Sequence, residues 1–488
     1  MLAVLATACA SSYLHRAPPS PREPWPLPAE PARASGPFDR APPIAHDHDY
    51  SLPELIDLAE STNPDTRIGW EHARQAALGV GEARAEYFPT ITGKVILGYE
   101  QFWSSRSSLM GATVGTTPFS LLPSVQRPLP DMSSQSGARL WQVLPFIHVS
   151  WNLFDPGRAA DVRSAESVSV AANALFTAEH EKVMFDVASA YFRLNAARAQ
   201  VAVSRETLDR TRVIADSADA RYGQGLATVV ETAEARRDVA QAEYNVKSAE
   251  AAVIVAHAAL VTALGVDPEA KLGVADRASG PLPAHLEQPV TAYVQQALTS
   301  RADLRAAQAR LPATAAGVSR HEGKYLPRVS VDGLGGGAWL GAARLPTISL
   351  PNYGVFLNLD WTIYDGGLRE VQIEIARSQN EEAVQELAKL DRQVVAEVIT
   401  AYNEATASLS RYQSATALLD ASTTAAAAAS DSYKNGLITL GDAVNAEGMR
   451  ALAAGAKEQA FADALIAMTK LAYASGELLT PKAVPHPP

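Results

Sequence analysis

Few residues in this chain are placed to do chemistry. Ten histidines are scattered, and His46-Asp47-His48-Asp49 sets metal-ligating types side by side. That tract is either a cation site or the solvated end of the Pro-rich stretch before it. Cys9 is the single cysteine, so neither an intramolecular disulfide nor a Cys-based metal site is possible. No HExxH, GxSxG or P-loop pattern occurs. The cluster Gly333, Gly335, Gly336 and Gly337 is no phosphate loop, because no Lys-Ser/Thr follows it and no helix pattern opens there. It marks a bend or a close strand approach instead. The expectation is therefore no catalytic residue, no cofactor and no metal: not an enzyme. Two tyrosine and acid pairs remain, Tyr222 with Glu231 and Tyr433 with Asp442, and the second pair lies 211 residues after the first. Each acid is either a solvated charge in a first helical turn, favoured there by the helix dipole, or part of a ring of like charges in a symmetric assembly, where ionisation depends on the neighbours.

That spacing is general. Tyr87-Phe88-Pro89 returns as Tyr325-Leu326-Pro327 after 238 residues, and Asp65-Thr66-Arg67 returns as Asp303-Leu304-Arg305 after the same interval. The segment Trp151 to Gly157 (WNLFDPG) returns as Trp361 to Gly367 (WTIYDGG) after 210 residues. Arg221-Tyr222-Gly223-Gln224-Gly225-Leu226 returns as Ser432-Tyr433-Lys434-Asn435-Gly436-Leu437 after 211. Two copies in the same order imply one unit used twice. The boundaries read as repeat 1 over 50–265, a crossing linker over 266–289, repeat 2 over 290–478 and a tail over 479–488.

The bulk properties narrow the class. The chain is 47% hydrophobic but only 7% aromatic, so its interior is built of small side chains. A net charge of −11 argues against nucleic acid, which wants a basic face. No run of about 18 apolar residues is present, so no transmembrane helix is expected. A chain of this kind that spans a membrane must do so as a closed barrel.

Four segments alternate with period two, near 91–103, 143–154, 328–339 and 353–364. Ile91, Val95, Leu97, Tyr99 and Trp103 oppose Thr90, Thr92, Lys94 and Glu100. Tyr353, Val355, Leu357, Leu359, Trp361 and Ile363 oppose Asn358, Asp360 and Thr362. Each run is long enough, when tilted, to cross a hydrocarbon layer. Trp103, Trp151, Trp339 and Trp361 stand near strand ends, as an interfacial aromatic girdle would. The joining segments 104–142 and 341–352 are rich in Ser, Thr, Gly and Pro. A half-buried soluble sheet is the alternative. Four strands cannot close a conduit, whereas three copies supply twelve, so a trimer is the economical solution.

The remainder is helical. No proline occurs between Gly157 and Tyr222 or between Gly367 and Tyr433, and each stretch would run about 100 Å as one helix. Val187, Leu194, Val201, Leu208, Ala215 and Tyr222 recur every seven residues, with Ala190, Ala197, Ser204, Thr211 and Ala218 between them. Val398, Ala405, Tyr412, Leu419, Ala426 and Tyr433 repeat the pattern. Sustained heptads predict helices packed on helices. Gly225 and Gly436 end the two stretches, and a second helical pattern follows each, to about Gly265 and Gly476. Each unit is then a hairpin with a Gly-Leu tip, and the exposed Leu is either a local cap contact or a docking knob. Further helices are predicted over about 52–86 and 290–322. The fold class is α+β: long coiled-coil hairpins plus four membrane strands per chain.

The N-terminus reads as an export signal. Residues 1–8 are apolar and small before Cys9, and no Lys or Arg precedes them. Cys9 is read as acylated; an A-x-A cleavage at Ala6-Thr7-Ala8 is the alternative. Residues 9–49 include ten prolines between 18 and 43 and form an extended tether.

Over roughly residues 50–478 the chain resembles the TolC-like outer-membrane efflux proteins. The carrying features are Asn63-Pro64-Asp65, Tyr87-Phe88-Pro89, the two Trp-to-Gly segments and the two Tyr-x-x-Gly-Leu tips, in order and duplicated. The Pro-rich start ending Glu23-Pro24-Trp25 looks like lipidated members. The resemblance implies a homotrimer with a 12-stranded barrel in outer-membrane lipid and a periplasmic helical tube. It also implies a periplasmic adaptor, an inner-membrane pump of RND or ABC type that supplies the drive, and a passive conduit for efflux or type I secretion. Gly225, Leu226, Gly436 and Leu437 would meet the adaptor. Tyr433 matches a gate tyrosine, and Glu231 and Asp442 match acidic positions, with Tyr222 at the equivalent place in the first copy. Ile438 stands where the family's namesake has a gate arginine, and Asn445 where it has a second acid. The resemblance therefore implies a gate held by packing rather than by that ion pair. The competing reading is a coiled-coil scaffold or adhesin.

Overall fold

The structure is a computed structural model that describes residues 20, 22, 48–102, 138–267, 272–276, 280–342 and 348–478. Cys9, the rest of the Pro-rich tether, His46, Asp47, Trp103 and most of the 104–142 segment lie outside the described residues. The chain divides into two compact units, one of residues 82–162 and 317–375 and the other of the remainder.

The first unit is a four-stranded antiparallel sheet. Its strands are β2 (Thr90–Phe102), β3 (Ala138–Phe154), β5 (Arg328–Ala342) and β6 (Ile348–Asp360), in the order β2-β3-β5-β6. Two-residue strands β1 (Asp49–Tyr50) and β4 (Gly273–Val274) pair in parallel in the other unit. The register sets one face of the large sheet apart. Ile91, Leu97, Tyr353 and Val355 share it and are 69, 73, 87 and 78% exposed. An apolar face this bare suits lipid rather than water. Three of the four strands run as the alternation predicts. The fourth stops at Asp360, so Trp361 and Ile363 lie beyond it. The reason is its place at the sheet edge: its one neighbour, β5, begins at Arg328 opposite Asp360, whereas β3 runs on to Phe154 because β5 pairs with it there as well. Gly366 and Gly367, with φ of 71° and 86°, turn the chain beyond it where the first copy has Pro156-Gly157. Within the glycine cluster the close approach is at Gly336, where a Cβ would stand 2.7 Å from Phe146 Cβ, whereas one on Gly335 would meet nothing within 4 Å.

The second unit is helical: α1 (Leu52–Thr62), α2 (Pro64–Ala85), α3 (Arg158–Gly223), α4 (Val229–Leu264), α5 (Val290–Ser300), α6 (Ala302–Gly323), α7 (Leu368–Lys434) and α8 (Leu440–Ser475), of which α2, α3, α6 and α7 run on into the sheet unit. Helices α3 and α7 are continuous over 66 and 67 residues. Val187, Leu194, Ala218, Val398, Ala405 and Tyr433 of the heptads are buried, whereas Tyr222 is 48% exposed. Helix α4 corrects one expectation: by length and composition it is apolar enough to cross a membrane. Its Ala/Val-rich second half carries no long charged side chain after Glu250, and Leu260, Val261 and Leu264 are buried while Ile254 and Val255 are bare.

The helices predicted over 52–86 and 290–322 are each broken once. Asn63 is extended because proline follows it, and Arg301 leaves helical geometry at the matching place, with φ −58° and ψ 127°. Each break clamps the base of a hairpin. Thr62 Oγ1 and Asn63 Nδ2 donate to Leu264 O and Ala263 O at 2.7 and 2.8 Å. Ser300 Oγ and Arg301 Nη1 donate to Ser475 O and Ala474 O at 2.9 and 3.4 Å. These bonds satisfy carbonyls that a helix C-terminus leaves open. Gly265 and Gly476 turn left-handed there, with φ of 70° and 71°.

Arg301 also pairs with Asp303 and Glu397, both at 2.7 Å. Buried Glu181 of α3 feels the same cluster. Burial first, then the Asp303 carboxylate, push its pKa up to about 7, against the pull of Arg301. The folded chain thus holds a proton that the unfolded chain releases near pH 4.5. Glu181 accordingly lowers stability as pH rises from about 4.5 to 7, by up to roughly 3 kcal/mol. Glu181→Gln should flatten that slope, measured as the denaturation midpoint in detergent between pH 5 and 8. An unchanged slope would show that Glu181 is ionised throughout.

Candidate functional site

The two hairpin tips are built alike. In the first, Gly225 takes φ 76° and Leu226 N donates back to Arg221 O at 2.8 Å. In the second, Gly436 takes φ 74° and Leu437 N donates to Ser432 O at 2.9 Å. Only glycine adopts this conformation without strain, and the returning amide closes the helix end. Thr228 and Thr439 then cap α4 and α8, accepting from Glu231 N and Asp442 N. The consequence is that Leu226 and Leu437 project, 65 and 76% exposed.

The structure brings the two tips together asymmetrically. Tyr433 is buried among Ile214, Ala218, Ala235, Leu440 and Ala443, with Ile438 half-buried beside it. Its hydroxyl donates to Glu231 Oε1 at 2.7 Å, and Arg221 Nη1 donates to its backbone carbonyl at 3.0 Å. The Arg221 guanidinium lies 5.2 Å from the Tyr433 ring centre. Burial, then the bond to Glu231, raise the Tyr433 pKa well above the ordinary phenol value. Tyr222 occupies the matched position without a matched role.

The acids also divide. Glu231 reaches across to the other copy's tyrosine, whereas the Asp442 carboxylate accepts from Thr439 N and Oγ1 at 3.2 and 2.7 Å. Those two bonds hold Asp442 below the usual carboxylate range. Asn445 is exposed. The nearest further acid, Glu447, is buried and paired with buried Arg450 at 2.7 Å.

A second constellation lies where strands turn into helices. Buried Arg158 donates to Glu86 O at 3.0 Å, Asn152 O at 2.7 Å and Leu153 O at 3.3 Å, with its guanidinium 3.8 Å from the Tyr87 ring centre. Buried Arg369 donates to Asp365 Oδ2 at 2.8 Å and Ile363 O at 3.3 Å, and lies 4.7 Å from the Tyr325 ring. Trp151 and Trp361 donate their indole N–H to Tyr87 O and Tyr325 O at 2.9 and 3.1 Å. The duplicated Tyr and Trp motifs are thus halves of one joint. Sequence reasoning missed both arginines, and Arg221 with them, although Arg158 and Arg369 stand 211 apart directly after the quoted segments. Trp339 lies on the bare apolar face, 40% exposed. Among the described residues no three metal-ligating side chains gather. His48 bonds Glu54 at 3.1 Å.

Comparison with known proteins follows this geometry. The family model described as "Outer membrane efflux protein" matches residues 55–266 and 293–477, most of the chain. Protein CyaE of Bordetella pertussis is 28% identical over 364 residues, covering 72% of this chain and 68% of that protein. The outer-membrane channel OprN superimposes with a TM-score of 0.69 at 19% identity, over 91% of this chain and 99% of its own. The Campylobacter jejuni CmeC outer membrane channel gives 0.71 at 16%, over 89 and 88%.

The tip geometry has a direct test. Tyr433→Phe removes the bond to Glu231 and should speed amide exchange across residues 428–442, by a local loss of about 1–2 kcal/mol. Tyr222→Phe, at an exposed ring, should leave exchange unchanged. Equal effects would deny the asymmetry.

Proposed function

The chain belongs to the outer membrane efflux protein family, and on that premise we propose how this outer-membrane channel is assembled and opened. Three copies close the sheets edge to edge into a 12-stranded barrel. In this fold β2 and β6 each have a neighbour on one side only, and such edges demand a partner strand in lipid. The helical hairpins form the periplasmic tube. The bare Ile254 and Val255 of α4, and Leu452 of α8 at 70% exposed, are then covered by neighbouring copies. Proteins of this family work with an adaptor and an inner-membrane pump, and this chain supplies the passive outer segment with no enzymatic step. The adaptor meets Leu226 and Leu437. The resting gate is the Tyr433–Glu231–Arg221 contact, which an adaptor pulling on either tip would part. Cys9 carries the lipid anchor, and Trp151, Trp339 and Trp361 belong to the interfacial girdle.

The observation that carries this reading is the sheet with one bare apolar face, attached through buried arginines to helices of 66 and 67 residues. A soluble scaffold would leave that face in water. The purified chain should be an outer-membrane trimer that conducts ions in planar bilayers. Recovery as a soluble monomer would reject the reading. Leu226→Asp combined with Leu437→Asp should abolish export while leaving trimer and insertion intact. Export at the wild-type rate would reject the docking assignment.

A further inference from the structure

The opposite face of the sheet is not uniformly polar. Near the helix end it carries Thr92, His148, Ser150, Ser330, Asp332 and Asn358, as strand alternation predicts. Apolar side chains share the same face, with Phe356 of β6 opposite Asp332, Leu334 of β5 opposite His148, and Leu144 and Phe146 of β3 farther along, where Lys94 of β2 stands opposite Phe146. The register leaves no doubt about the face: Thr92 pairs with His148, His148 with Leu334, and Asp332 with Phe356. Leu144, Phe146 and Leu334 are half-buried and Phe356 is 36% exposed, against 70% for Leu357 on the other face.

Two details make the row of Asp332 and Phe356 a built feature. The Asp332 carboxylate is held by three neighbours: His148 Nε2 at 3.2 Å, an amide hydrogen from Asn358, and the Ser330 hydroxyl at 3.5 Å. It is oriented and still partly open. Beside it, the Phe356 ring lies flat along its own strand. A Cβ on Gly354 would stand 2.9 and 3.0 Å from ring atoms Cε2 and Cζ, so only glycine lets the ring take that place. The ring therefore offers its face along the wall, directly opposite a fixed carboxylate.

We infer that Asp332 and Phe356, continued by Phe146, Leu144 and Leu334, form a wall site for amphiphilic cations. This rests on the barrel reading above, which puts this face toward the lumen. A quaternary ammonium is attracted both to an aromatic face and to a carboxylate. Its alkyl chains gain contact along the apolar band. The chain's net charge of −11 also favours a cation over an anion. Each of three copies would supply one such site, and cargo would meet an apolar surface inside an otherwise polar duct.

The test uses the full chain in nanodiscs and in planar bilayers, with tetramethylammonium and tetrahexylammonium as probes. Equilibrium dialysis on nanodiscs reports binding whether or not the pore is open. Wild type should bind tetrahexylammonium at least tenfold more tightly than tetramethylammonium. Phe356→Ser should cut that preference about tenfold, Phe356→Leu should retain most of it, and Asp332→Asn should weaken both probes. In conducting pores the same order should appear as current block. A preference unchanged in Phe356→Ser, or equal binding of both probes by wild type, overturns the site while leaving the channel intact. A chain that stays a soluble monomer overturns the barrel reading first, and the site with it.

Discussion

Everything in this chain passes through two buried guanidinium groups. Where a strand becomes a helix, the backbone leaves the ladder before helical bonding begins, and its carbonyls lose partners. Arg158 and Arg369 each gather carbonyls from both segments that meet there. A planar group with five donors does this where lysine would not. Tyr87 and Tyr325 cover the guanidinium faces, and Trp151 and Trp361 bond the backbone carbonyls of those same tyrosines. The repeated Tyr-x-Pro and Trp-to-Gly segments are thus the two sides of one joint, made twice.

The helices carry a second use of the same logic. Each hairpin base ends in a left-handed glycine, and the open carbonyls there are taken by side chains from a break in a separate helix. Copy one makes the break with Asn63-Pro64, and copy two makes it with Arg301-Ala302. The second solution places a charge indoors, so Arg301 is ringed by Asp303, Glu397 and Glu181. Duplication kept the joint and changed the chemistry that closes it.

At the tips the copies part further. One tyrosine is core and the other is surface, and one acid crosses to its neighbour while the other caps its own helix. Ile438 packs beside Tyr433. A cation nevertheless sits at the contact, because Arg221 comes from the other copy's tip.

Much of this was legible in one dimension. Periodicity of two or seven, proline-free length and glycine placement are local, so the strands, the long helices and both Gly-Leu tips could be read directly, and order plus duplication pointed to the family. The breaks at Asn63 and Arg301 were half legible, since proline announces only the first. The fate of Trp361 depended on which strands neighbour its own, and alternation alone does not state that. What no linear reading could supply is pairing between residues some 200 positions apart: Tyr433 with Glu231, Arg221 with the Tyr433 carbonyl, Asp332 with His148. Side-chain type states what a group can donate or accept. Only the fold decides which partner is within 3 Å, and burial then decides how much that bond is worth.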